Sequence, residues 1–201
     1  MKKVTLYIIM ILCLAMLFGC KRKVPVLTID DVQANTVLVK NDGTVQAATV
    51  EEFGEKYYDL SELNDFIIKQ MDAYNRKAEV DAITLGTESL VLKDGNAVLV
   101  LNYANLEHYS KFNEVEANFL TMDAALSGEG ELPEAYISAE DGSFVSKEIA
   151  LKNEKYKVLV INENTDVIVD GTIKYYTNAV LVSKSKLQTA AEGETVVIYK
   201  P

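Results

Sequence analysis

The first nineteen residues constrain most strongly what this chain can fold into. Lys2 and Lys3 precede an uninterrupted apolar run from Val4 to Phe18. A charged start followed by such a run is typical of a secretory signal. As a helix, residues 4–19 would span about 24 Å, which is less than the ~30 Å hydrocarbon core of a bilayer. We therefore predict that the run directs export of the chain, and that the fold is built by the residues after it.

The run ends in Leu17-Phe18-Gly19-Cys20, with an aliphatic residue at −3, a small residue at −1 and then a cysteine. This stretch resembles the lipobox of bacterial lipoproteins, and the resemblance covers residues 1–20 alone. It implies cleavage between Gly19 and Cys20 and lipidation of Cys20 by a diacylglyceryl thioether. Acyl chains, palmitate among them, would then hold the protein in the cell membrane, on its extracytoplasmic face.

Three basic residues, Lys21, Arg22 and Lys23, directly follow the lipobox-like stretch. Positive charge tends to stay on the cytoplasmic side of a membrane, so this triplet resists translocation. An uncleaved signal anchor is therefore the alternative interpretation. In a lipoprotein the triplet would lie at the headgroups, where each basic side chain adds about 1 kcal/mol of attraction to an anionic surface.

Charge makes nucleic acid a poor partner. Without residues 1–19 the chain carries 18 basic and 30 acidic side chains, a formal charge of −12. Binding phosphates needs clustered Lys and Arg. The acids are interspersed with apolar residues, which indicates a solvated acidic surface.

Cysteine use limits both stability and chemistry. Cys13 lies in the apolar run and Cys20 is the lipidation candidate, so the remainder has no thiol nucleophile and no disulfide. Stability must come from a hydrophobic core, for which about 165 residues suffice in one domain. We predict a signal peptide at 1–19, a lipidated N-terminus and tether at 20–34, and a single α+β domain at 35–201.

Turn signals between alternating apolar stretches predict hairpins. One joins 36–40 to 44–50 across Asn41-Asp42-Gly43, and another joins 89–93 to 96–102 across Asp94-Gly95. Further strands are predicted at 80–85, 136–138, 144–151, 157–161, 166–169, 172–176, 179–182 and 195–200. The run 157–161 is apolar nearly throughout, which favours a central strand buried on both faces.

Helical periodicity is clearest after Asp59 or Ser61, either of which can cap a helix. The apolar residues Leu60, Leu63, Ile67, Met71 and Tyr74 follow steps of three and four, and Phe66 widens the stripe. Asn105 can cap a shorter helix, while 118–126 fits a strand or a helix and 127–134 reads as a mobile acidic loop. The predicted fold class is α+β: an antiparallel β-sheet built from hairpins, with two to three helices packed on one side.

A search for catalytic and metal-binding patterns yields no catalytic residue, no cofactor and no metal site. His108 is the only histidine, and its neighbours Glu107 and Tyr109 point away from it on a helix, so we interpret it as a surface residue. The oxygen-rich segment from Asn162 to Asp170 resembles the opening of a calcium loop. Val167 and Ile173 stand where an EF-hand needs glycine and glutamate, which favours a polar turn.

Tyrosines offer the remaining binding chemistry, notably the pairs Tyr57-Tyr58 and Tyr175-Tyr176. Alternation in a strand sends Tyr175 and Tyr176 to opposite faces, and core packing is the favoured interpretation for tyrosine in strands. The sequence as a whole predicts a non-enzymatic, lipid-anchored extracytoplasmic protein with a binding or envelope-assembly role. Its expected contacts are membrane lipid through Cys20 and an envelope protein or glycan. The alternative is a carboxylate-based envelope hydrolase acting on a polymer.

Overall fold

The computed structural model describes residues 24–128 and 132–201, which form thirteen strands and four α-helices. The helices are α1 Leu60–Ala78, α2 Leu106–Asn113, α3 Met122–Ser127 and α4 Lys147–Ala150, with a 3-10 turn at Ile29–Asp31. The strands are β1 Thr36–Val39, β2 Val45–Glu52, β3 Ile83–Lys93, β4 Asn96–Tyr103, β5 Glu116–Leu120, β6 Ala135–Ser138, β7 Phe144–Ser146, β8 Lys157–Asn162, β9 Asp166–Val169, β10 Thr172–Tyr176, β11 Ala179–Ser183, β12 Lys186–Thr189 and β13 Thr195–Lys200. Over these ranges, no helix has the length and apolarity needed to span a membrane.

The strands make two sheets. The seven-stranded sheet has the order β11-β12-β9-β1-β2-β4-β3, and the six-stranded sheet has the order β5-β8-β13-β10-β6-β7. Neighbouring strands run antiparallel, apart from the parallel pair β1 and β9. The parallel pair joins strands that are about 130 residues apart in the chain. It therefore links the early and the late parts of the folded chain in one sheet.

Strand alternation explains why the six-stranded sheet lies in the middle of the molecule. In β8 and β13 the odd-numbered residues, such as Leu159 and Val197, join a central core with Val37 and Val39 of the other sheet. The even-numbered residues, Val158, Val160, Val196 and Ile198, join a second core on the opposite face. The prediction of a central strand at 157–161 buried on both faces is therefore confirmed.

The helices divide between the two cores. Ile67 and Met71 of α1, with Leu106 and Tyr109 of α2, pack in the central core. The shorter helices α3 and α4 contribute Met122, Ala125 and Ala150 to the second core. The α+β class is thus confirmed at the level of a mixed, mostly strand fold. The single sheet is wrong, because the strands form two, and packing of the helices on one side is not confirmed.

Local predictions around the turns and caps hold well. Asp59 caps α1, its carboxylate accepting from the backbone N–H groups of Ser61 (2.7 Å) and Glu62 (3.1 Å). Asp94 and Gly95 have φ of 51° and 81°, as a two-residue hairpin turn requires. Phe66 is the exception, because it is 58% exposed and does not widen the buried stripe.

Further differences concern strands. Residues 80–85 and 89–93 are predicted as separate strands, but β3 begins at Ile83 and continues to Lys93, with its register shifted between Leu85 and Leu90. The predicted strand at 144–151 is wrong after residue 146, where β7 ends and α4 begins. The ambiguous segment 118–126 contains both alternatives, the end of β5 and most of α3. Strand β12 was not predicted, and residues 129–131 of the acidic loop lie outside the described residues.

The segment at 24–32 corrects the predicted domain boundary. Leu27, Ile29 and Val32 are buried against the outer face of the seven-stranded sheet, where they form a third core with residues such as Leu38 and Val98. The Leu27 N–H donates to the Gln46 side chain (3.0 Å), and the Lys93 ammonium donates to the Ile29 carbonyl (3.0 Å). The folded part therefore begins before residue 35. Because packing begins at Leu27, the predicted tether of 20–34 can extend no further than residue 26.

Truncating the buried residues of this segment should destabilise the protein. The double variant Leu27→Ala/Ile29→Ala removes two side chains from the third core, and should lower the free energy of unfolding by about 3 kcal/mol or more. The matched control Val24→Ala/Val26→Ala changes two exposed residues of the same segment, and should stay within ~0.5 kcal/mol. Urea unfolding of both variants measures the difference. Equal stabilities of the two double variants would contradict the packing of Leu27 and Ile29 on the sheet.

Candidate functional site

The loop between β2 and α1, residues 53–59, carries three aromatic side chains and is called here the aromatic loop. Its start is fixed to the neighbouring hairpin, because the Phe53 N–H donates to the Gly95 carbonyl (2.8 Å). Its middle is turned by a bond from the Tyr58 N–H to the Glu55 carbonyl (3.1 Å). Its end is the Asp59 cap of α1. The loop is therefore held at both ends by regular structure.

The three rings of the aromatic loop contact one another on the surface. Phe53 and Tyr58 stack with centroids 4.8 Å apart and planes at 27°, while Tyr57 meets Tyr58 edge-on at 4.9 Å and 73°. Tyr57 is 76% exposed and Tyr58 is 45% exposed. Large exposed aromatics offer flat apolar faces together with a hydroxyl, and such residues are enriched in binding surfaces. The arrangement can stack on a partner and form hydrogen bonds to it.

The surroundings of the aromatic loop are strongly acidic. Residues 51–65 contain one lysine, Lys56, and six exposed carboxylates: Glu51, Glu52, Glu55, Asp59, Glu62 and Asp65. The pKa of Tyr58 is raised above its usual value, first by the adjacent Tyr57, then by partial loss of water contact and by the Glu55 charge. Tyr58 therefore keeps its proton at neutral pH. The loop presents the neutral Tyr58 hydroxyl among negative charges.

The second tyrosine pair behaves as strand alternation predicts. Tyr176 is buried in the central core, and Tyr175 packs against the second core on the other face of the six-stranded sheet. The packing interpretation is confirmed for this pair. It fails for Tyr57 and Tyr58, whose rings are exposed because they lie in a loop rather than in a strand.

A polar network inside the central core was not found from the sequence. The Tyr109 hydroxyl donates to the Glu163 carboxylate, and Asn113 donates to the Tyr103 hydroxyl (3.1 Å). Burial raises the pKa of Glu163, while the bond from Tyr109 opposes that shift. Burial also raises the pKa of Tyr109, and that of Tyr103 to about 12. Tyr109 and Glu163 are 54 residues apart, so no local pattern could have shown their contact.

His108 is half-buried rather than a simple surface residue. Its Nδ1 lies 3.1 Å from the Tyr74 hydroxyl, and the two rings meet edge-on. The neighbouring Glu107 instead forms an ion pair with Lys111 one turn further along α2. The structure thus ties His108 to α1, and among the described residues no carboxylate is hydrogen-bonded to its ring as a triad would need.

The candidate calcium segment at 162–170 is built from strands. Asn162 ends β8 and donates to Glu116 (3.0 Å), and Asp166 begins β9 and pairs with Lys186 (2.7 Å). This backbone is a strand, a short bend and a second strand, which differs from a continuous calcium loop. Within the part of the chain that the structure describes, no group of three or more His, Cys, Asp and Glu side chains could hold a metal ion.

The remaining site prediction, lipidation at Cys20, lies outside the described residues, as do the basic residues 21–23. It stays a prediction. Val24 is the first residue after Cys20 that the structure describes.

The raised pKa of Glu163 predicts a pH dependence. Because the folded protein binds this proton more tightly than the unfolded chain, the stability that the group contributes is full below its ordinary pKa of about 4.5. That contribution is lost as pH rises through the raised value. Glu163→Gln keeps an acceptor for Tyr109 but cannot ionise, so its stability relative to the parent should increase between about pH 4 and pH 7.

Glu107→Gln is the control, and its stability relative to the parent should change with pH in the opposite direction. The hydrogen bond and charge of Lys111 lower the pKa of Glu107, so its contribution appears above the ordinary pKa. The relative stability of Glu107→Gln should therefore fall over the same pH range. Urea unfolding at several pH values tests both variants. If the stability of Glu163→Gln relative to the parent falls with rising pH, the result contradicts the burial of Glu163 in this network.

Comparison with protein-family models, with curated proteins and with solved structures finds no match to this chain.

Proposed function

We propose that this chain is a non-enzymatic, lipid-anchored binding protein on the extracytoplasmic face of a cell membrane. In this proposal residues 1–19 are a signal peptide, and Cys20 carries the lipid. The aromatic loop is the contact surface for an envelope partner. The observation that carries the binding role is the cluster of Phe53, Tyr57 and Tyr58, three contacting rings on a surface loop whose ends are fixed.

The chemistry of the aromatic loop favours a protein partner with basic side chains. Arg and Lys can lie over the face of a tyrosine ring and also pair with the surrounding carboxylates. A neutral glycan could stack on the same rings and donate hydroxyl hydrogen bonds to the six carboxylates in residues 51–65, but it would lack the charge attraction of a basic protein. An envelope protein with a basic patch is therefore the favoured partner, and a glycan is the second.

A hydrolase is the second candidate function, and the observation that favours it is the charge interaction between two exposed carboxylates, Glu194 and Glu116. The pKa of Glu194 is raised by burial and by the charge of Glu116, which lies on the neighbouring part of the six-stranded sheet. Glycoside hydrolysis commonly uses a pair of carboxyl groups that flank the scissile bond. Release of sugars from cell-wall polymer that Glu194→Gln abolishes would favour this candidate over the binding protein.

Crosslinking in native membranes tests the binding role. The double variant Tyr57→Ala/Tyr58→Ala removes the exposed rings, and should reduce capture of the partner at least about tenfold, as expected when a binding hot spot is lost. The matched control is Phe144→Ala in β7, whose ring is 79% exposed on the other sheet. It should leave capture unchanged. Equal capture by both variants, or no partner at all, would contradict the proposal.

The same experiment separates the two partner classes. Capture of a basic protein should weaken with added salt, because exposed charge pairs are screened over about 10 Å at 0.1 M ionic strength. Competition by soluble cell-wall oligosaccharides, without salt dependence, would instead identify a glycan partner.

A further inference from the structure

We infer that the end of the seven-stranded sheet at which β2 begins faces the membrane, so that the aromatic loop at the other end points away from it. The surface that this end meets is a layer of anionic phospholipid headgroups. The inference rests on the proposed lipidation of Cys20. It adds which side of the domain that lipid holds against the bilayer.

The first evidence for this orientation is the path of the N-terminal segment, residues 24–32. Leu27 and Ile29 face the sheet and are each 7% exposed, whereas Val24 and Val26, which alternate with them, are 56% and 57% exposed. This alternation leads into Leu27, which packs on the sheet, and Thr28 after it has extended backbone angles. From Leu27 onward the segment packs on the domain.

The direction of that path follows from its two hydrogen-bonded ends. Leu27 is bonded to Gln46, the second residue of β2, while the carbonyl of Ile29 is bonded to Lys93, the last residue of β3. Lys93 pairs with Asn96, which in turn pairs with Glu52 at the far end of β2. Followed backwards from Ile29 to Leu27, the chain therefore leaves the sheet at the end where β2 begins.

Chain length fixes how close that end lies to the lipid. Cys20 lies seven residues before Leu27, so at most about 25 Å of extended chain separates it from the bond to Gln46. The aromatic loop begins at Phe53, seven residues beyond Gln46 along β2, or about 23 Å further away at the rise of a strand. The short connection holds one end of the sheet near the headgroups, and leaves the other end one strand length away.

Charge favours the same orientation. The sequence between the lipid and the sheet is Lys21-Arg22-Lys23, followed by the exposed apolar Val24 and Val26. Basic and apolar residues together are attracted to an anionic bilayer surface. The six carboxylates around the aromatic loop are repelled by it. Both effects turn the aromatic loop away from the membrane, toward partners in the envelope.

The chain allows a clean labelling experiment, because residues 21–201 contain no cysteine and the thiol of a lipidated Cys20 is blocked. Thr84→Cys places a single thiol at the membrane end, since Thr84 pairs with Asn102, which pairs with Gln46. Glu55→Cys places one in the aromatic loop. Both positions are exposed. Each lipidated variant carries a fluorophore and is reconstituted into anionic phospholipid vesicles that contain a headgroup-attached quencher.

The label at position 84 should lose fluorescence on reconstitution, and the label at position 55 should keep the intensity of vesicle-free protein. Adding Leu27→Ala/Ile29→Ala, which releases the segment from the sheet, should make the two labels equally quenched. Equal quenching in the parent, or stronger quenching at position 55, would overturn the orientation. Flotation with the vesicles is scored separately: protein that fails to float has no lipid anchor, which overturns the proposed function and, with it, this inference.

Discussion

Burial of the six-stranded sheet on both of its faces is the constraint on which the rest of the structure depends. Strands β8 and β13 are apolar at odd and even positions alike, with residues 158–161 and 195–199 all buried. Each aliphatic side chain removed from water contributes about 1.5–3 kcal/mol, so neither face can remain exposed. One face is covered by the seven-stranded sheet with α1 and α2, and the other by α3, α4 and Leu132. The layered architecture, with one sheet between two cores, follows from this double requirement.

Covering one sheet with the other creates a second problem, because the seven-stranded sheet also has an apolar outer face. Leu38, Ala48, Val98 and Val100 lie there, and residues 24–32 cover them. A segment that would otherwise connect the domain to its N-terminus is thereby recruited into the core. Hydrogen bonds to Gln46 and from Lys93 fix where it lies. The proposed lipid anchor then lies near the end of the seven-stranded sheet at which β2 begins, and the aromatic loop lies at the opposite end.

Local features of this fold were predictable from the sequence because their causes are local. The Asp59 cap, the Asp94-Gly95 turn and the alternation of Tyr175 and Tyr176 each depend on a few adjacent residues. The partners across the sheets were not predictable, since the pairing of β1 with β9 joins distant residues. Strand β12 is short and partly polar, so its pattern is too weak to predict a strand, although Leu187 and Thr189 are buried.

At the site, Tyr57 and Tyr58 could be singled out from the sequence. Their contact with Phe53 depends on how the loop is fixed at Gly95, and the bond from Tyr109 to Glu163 depends on the whole central core.

The central claim is that residues 24–32 belong to the folded domain, which leaves only a short connection to Cys20. Hydrogen exchange of the backbone amides of Leu27 and Asp31 in the lipid-free protein tests this claim most directly, because both amides are hydrogen-bonded, to Gln46 and to the Thr28 carbonyl. The account predicts that the Leu27 amide is protected to a degree comparable with amides of β2, and that Leu27→Ala/Ile29→Ala abolishes this protection. Exchange of Leu27 at the rate of an unstructured peptide, in protein whose β8 amides remain protected, would contradict it.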